Sequence, residues 1–152
     1  MMASTQVAIS FDTTGSMSRA LNEVRIRIAE MIRMLKKDIP GVALSVIAHG
    51  NYCDEDTYVT KHLDFSDDDR KLVDFVKGVE QTHGGDSPEC YELVLRLVRT
   101  KLSWKRNAQK ILIVIGDSYP HTPSYPQNKD RIDWREEARL LAGIVSVSNF
   151  MS

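Results

Sequence analysis

Val7-Ala8-Ile9-Ser10-Phe11-Asp12-Thr13-Thr14-Gly15-Ser16-Met17-Ser18 is the stretch on which the fold turns. The nearly continuous apolar run from Thr5 ends on Asp12, which suits a strand covered on both faces. Three oxygen-bearing side chains then alternate: Asp12, Thr14 and Ser16. From Ser18 to Lys37 the apolar residues Leu21, Val24, Ile28, Met31, Ile32 and Leu35 recur at helical spacing. Lys36 and Lys37 stand where a helix dipole favours cations, and Pro40-Gly41 stops the helix. A strand therefore delivers one carboxylate and two hydroxyls to a turn that opens a helix. Hard cations such as Mg²⁺ take oxygen ligands of this kind. The same residue types also make helix caps and turns, so the stretch alone admits both readings.

Working outward, Val42 to His49 reads as a second strand. The intervening helix makes a βαβ unit, so the first two strands should run parallel. After the polar loop Gly50 to Asp56, Tyr58 to Leu63 alternates as a short strand. Its brief connection allows only an antiparallel return, and Lys61 suits a sheet edge. Ser66-Asp67-Asp68-Asp69 starts a helix running to about Val79. A glycine-containing loop, Thr82 to Glu89, leads into a helix predicted from Pro88 to about Leu102. Ile111 to Ile115 is the strongest buried-strand signal and ends on Gly116-Asp117-Ser118. A Pro- and Tyr-rich loop (Tyr119 to Asp130), a helix (Ile132 to Leu141) and a last strand (Ile144 to Ser148) complete the pattern.

This β-α-β-β-α-α-β-α-β order predicts an α/β, Rossmann-like, three-layer domain over residues 1–152. Its sheet should hold about five mostly parallel strands in the order 3-2-1-4-5, with the third antiparallel at the edge. A domain of this kind normally covers its last strand with a further helix, so the chain reads as C-terminally shortened. The formal net charge of −1 offers no global attraction for nucleic acid or an acidic membrane surface. No apolar run approaches the roughly 18–20 residues of a membrane span, and Met1 to Gln6 does not resemble a signal peptide. Cys53 and Cys90 form neither a disulfide framework nor a zinc motif, which points to an intracellular setting, cytoplasmic or nuclear. Cys90 itself reads as a small core residue.

In an open parallel sheet, ligands sit beyond the carboxyl ends of the strands where the strand order reverses. Asp12 and Asp117 end strands that this order makes neighbours, and the loop carrying Asp86 and Glu89 starts from the same edge. Acids converging there would repel one another unless a cation neutralises them. Asp12-x-Thr14-x-Ser16 resembles the D-x-[ST]-x-S motif of von Willebrand factor A-type domains, which hold a divalent ion at a metal-ion-dependent adhesion site. Ile111 to Asp117 resembles the later strand of that family, which ends on a metal-site aspartate. Gly85-Asp86-Ser87-Pro88-Glu89 is similar to the D-x-P-E loop of integrin β chains. The resemblance implies Asp12, Thr14 and Ser16 as the first ligand group, with Ser16 ligating directly and Asp12 and Asp117 directly or through water. The loop ligand would be Glu89, with Asp86 second and Thr82 third. It implies a non-enzymatic protein-binding module in which Mg²⁺, with Mn²⁺ and Ca²⁺ also compatible, captures an Asp or Glu of a partner protein.

Asp12-Thr13-Thr14-Gly15-Ser16 also resembles the D-x-T-G-[ST] motif of haloacid-dehalogenase-like phosphatases, in which Asp12 would be a nucleophile and Asp117 would hold Mg²⁺. Against this, Thr14 stands where such enzymes carry a second acid, and Tyr119 to Gln127 supplies no further acid. His83 and His121 read as surface loop groups beside the site. Tyr119, Pro120, His121 and Tyr125 suit either a partner-binding rim or packing of the loop, and Trp104 and Trp134 read as helix-end packing.

Overall fold

The computed structural model describes residues 4–14, 21–82, 90–116 and 119–151. Five strands, β1 (Thr5–Asp12), β2 (Ala43–His49), β3 (Thr60–Ser66), β4 (Gln109–Gly116) and β5 (Ser146–Met151), form one sheet in the order β3-β2-β1-β4-β5. β1 pairs in parallel with β2 and β4, β4 in parallel with β5, and β2 antiparallel with β3. The predicted strand order and the antiparallel edge are therefore both present.

Among the described residues, four α-helices cover the two faces. α1 (Leu21–Asp38) and α2 (Asp69–Lys77) pack together on one face, over a core that includes Ile9, Phe11, Ile32, Leu44, Val46 and Leu72. α3 (Tyr91–Thr100) and α4 (Trp134–Ala142) pair on the other, over Ala8, Ile47, Val94, Leu112 and Leu141. β1 is buried along both faces because it lies at the centre of the sheet, which is why its sequence shows little alternation. Each fully buried Phe or Ile contributes on the order of 1.5–3 kcal/mol.

Several boundaries differ from the sequence reading. β3 starts at Thr60, not Tyr58, and continues to Ser66. Tyr58 is drawn out of the ladder because its hydroxyl donates to Thr13 Oγ1 and to the Glu80 carbonyl. α2 begins after Asp68, whose carboxylate caps Lys71 N–H, while Ser66 instead accepts from Asp68 N–H. Described helical structure in α3 starts at Tyr91 rather than Pro88, and Pro88 lies outside the described residues. α4 starts after the capping Asp133. Ile132 lies just before it, bracketed by the buried Asn128 side chain, which donates to Ile132 O at 2.9 Å and accepts from Ile132 N at 3.0 Å. β5 begins at Ser146 because Ile144 N–H and Val145 N–H are spent on Leu141 O at the end of α4. Ile144 is 49% exposed there.

Candidate metal centre at the carboxyl edge of the sheet

Asp12 is the last residue of β1, and both it and Thr14 are buried. Asp12 Oδ1 accepts from Thr14 N–H at 2.8 Å and from the Thr14 hydroxyl at 2.6 Å. An Asp side chain accepting the amide two residues on is an Asx turn, so the turn chemistry read from the sequence is present. Asp12 Oδ2 receives the Tyr91 hydroxyl from the start of α3 at 3.4 Å.

The neighbouring residue fixes the chain that leaves β1. Thr13 N–H and the Thr13 hydroxyl both donate to His49 O, each at 2.9 Å. Thr13 Oγ1 lies 3.1 Å from Thr82 Oγ1, and Thr82 N–H donates to Thr13 O at 2.8 Å. Thr82 is thus tied to Thr13 as the chain enters the loop before α3. Cys90, on the far side of that loop, is buried, caps nothing with its side chain, and donates its thiol to Gly50 O at 3.0 Å. A Cβ at Gly50 would lie 2.7 Å from Thr82 Oγ1 and 2.9 Å from Asp54 Oδ2, so both flanks of the loop rest against Gly50.

The structure brings Asp12 and Thr14 together and joins Thr82 to the residue between them. The backbone pairing Phe11↔Ile115 sets the carboxyl ends of β1 and β4 side by side, with Gly116 the last described residue of β4. Ser16, Asp86, Glu89, Asp117 and His83 lie outside the described residues. The described part suits a hard divalent cation: a buried carboxylate and a hydroxyl stand adjacent at a strand end, and both are oxygen donors.

Two neighbours of Asp12 carry no local signal in the sequence. His49 is its pairing partner on β2 and is buried, and neither ring nitrogen has a hydrogen-bond partner among the described residues. Burial pushes its pKa down to about 3, so the imidazole is neutral at physiological pH and adds no positive charge beside Asp12. Its ring meets Tyr91 edge-on, centroids 4.7 Å apart. Tyr91 lies on the buried side of α3 with Val94 and Val98.

The surface reading of His121 is corrected. His121 is only 2% exposed, with Nδ1 3.1 Å from Glu92 Oε1 and its backbone N–H donating to the same oxygen at 3.3 Å. Its ring stacks on Tyr125 at 3.9 Å and packs obliquely against Tyr52 at 5.3 Å. Burial, and then the nearby Glu92, raise the Tyr52 phenol above its ordinary range. His121 and Tyr125 therefore pack the long loop against α3, whereas Tyr119 is 57% exposed.

No protein-family model and no curated protein matches the chain. Solved structures do. The vWF domain of the type V pili tip protein Mfa5 from Porphyromonas gingivalis is 14% identical, with a TM-score of 0.63 over 79% of this chain and 40% of that one. A structure of three N-terminal domains of the same protein is 15% identical, with a TM-score of 0.61 over 76% of this chain and 20% of that one. The pilus adhesin SpaC from Lactobacillus rhamnosus GG is 12% identical, with a TM-score of 0.62 over 78% of this chain and 16% of that one. The chain spans less than half the length of each. At these identities the likeness is one of fold, and that fold is the von Willebrand factor A-like α/β arrangement of a mixed sheet between two helical layers.

Proposed function

We propose that the chain is a divalent-metal-dependent, non-catalytic protein-binding module. The observation that carries the reading is Asp12, a buried carboxylate at the carboxyl end of the central strand, locked to the hydroxyl of Thr14. The residues that would hold Mg²⁺ (Mn²⁺ or Ca²⁺ being alternatives) are Asp12, Thr14 and Ser16 after β1, Asp117 after β4, and Glu89, with Asp86 its alternate, before α3. Bound there, the ion would supply an electrophilic coordination position for an Asp or Glu of a partner protein. The chain's own part is to orient the carboxylate: Thr14 holds one oxygen, and Thr13 anchors the turn to β2. The adhesin and tip-protein descriptions of the structural neighbours accord with a binding role.

Calorimetric titration with MgCl₂ tests the reading. The wild-type chain is expected to bind, and Asp12→Asn to lose binding while keeping its circular dichroism spectrum. Unchanged affinity in Asp12→Asn would remove the proposal. Hydrolysis of an aryl phosphate that disappears in Asp12→Asn would replace it with the phosphatase reading.

A further inference from the structure

We propose that Tyr91 is the positioning residue of the Asp12 carboxylate, its hydroxyl setting the orientation in which Asp12 meets a divalent cation. The inference rests on the metal-centre reading above. Tyr91 opens α3 and touches the carboxyl ends of three adjacent strands. Its ring lies edge-on to His49 at the end of β2, and its hydroxyl reaches Asp12 Oδ2 at the end of β1, 3.4 Å away. At the end of β4 the hydroxyl fills the space beside Gly116, where a Cβ would stand 1.9 Å from Tyr91 Oη. Asp12 and His49 are direct partners on neighbouring strands, so their side chains leave the same face of the sheet, the face that Tyr91 covers.

The division of labour follows from the two carboxylate oxygens. Thr14 holds Oδ1 with two donors, and Tyr91 then fixes the twist of the carboxylate plane through Oδ2. A donor on the second oxygen of a metal-binding carboxylate restricts its rotation, and outer partners of this kind tune affinity strongly. Gly116 is part of the same device, since any larger residue there would push the phenol away from Asp12.

The test titrates MgCl₂ into the wild-type chain, Tyr91→Phe and Asp12→Asn, and records a thermal melt of each in the absence of metal. Tyr91→Phe keeps the ring packed on His49 and removes only the hydroxyl. It is expected to melt with the wild type yet bind Mg²⁺ roughly tenfold more weakly. Wild-type affinity in a folded Tyr91→Phe overturns the role of Tyr91, while loss of binding in Asp12→Asn leaves the metal centre standing. Absence of binding in the wild type overturns both. An independent measurement covers a Tyr91→Phe chain that does not fold. In wild-type protein labelled with 3-fluorotyrosine, the Tyr91 fluorine resonance is assigned by Tyr→Phe substitution at Tyr52, Tyr58, Tyr119 and Tyr125. It should move on saturation with Mg²⁺, and a stationary resonance overturns the proposal.

Discussion

At the scale of single residues, the edge of the sheet concentrates polar groups where solvent does not reach. His49 has no hydrogen-bond partner among the described residues, and a buried donor or acceptor left unmatched loses its hydration without recompense. Replacing it by His49→Leu should leave the fold intact and raise stability by about 1 kcal/mol in urea titration. Gly50 makes the opposite prediction. Gly50→Ala drives a methyl group into Thr82 and Asp54 and should cost about 2 kcal/mol, read as a lower denaturation midpoint at unchanged slope. Asp12 and Thr14 were legible as turn partners because their spacing is local. His49 and Tyr91 were not legible as neighbours, since a histidine ending one strand and a tyrosine opening a distant helix meet only once the topology is set. His121 was misread for a related reason: a Pro-rich loop looks exposed until Glu92 supplies a buried partner for it.

At the scale of elements, one carboxylate joins α4 to α3 beside the apolar contacts of Leu141 with the core. Glu137 is buried, and Arg99 Nε donates to it at 2.6 Å and Arg96 Nε at 2.9 Å. The Arg99 hydrogen bond, assisted by Arg96, holds Glu137 below its ordinary carboxylate value of 4.5 although burial works the other way. A depressed folded-state value means that the stabilisation is complete above pH 4.5 and is lost as the pH falls through the lowered value. Glu137→Gln should therefore cost about 2 kcal/mol at neutral pH, and the gap from wild type should close on acidification below that value. Melts across a pH series measure both. The apolar run Ile111 to Ile115 announced its strand by composition, although within it only Leu112 is fully buried and the other four residues are half-buried. The ends of elements were harder to read. The start of β3 was set by the bond from Tyr58 to Thr13, and that of β5 by two amides captured at the end of α4.

At the scale of the whole molecule, a ligand held only by the folded chain stabilises it by mass action. Mg²⁺ at a hundredfold excess over its dissociation constant should add about 2.7 kcal/mol, raising the melting temperature by several degrees. Chelation should reverse the shift, and Asp12→Asn should abolish it. Among the described residues no helix is long and apolar enough to cross a membrane. The contact of Thr82 and Cys90 with Gly50 carries a further consequence. Two points of the chain are thereby pinned to a single residue, so a methyl group added at Gly50 should loosen both anchors at once. Faster hydrogen exchange at the Thr82 amide, which donates to Thr13 O, would report that loosening.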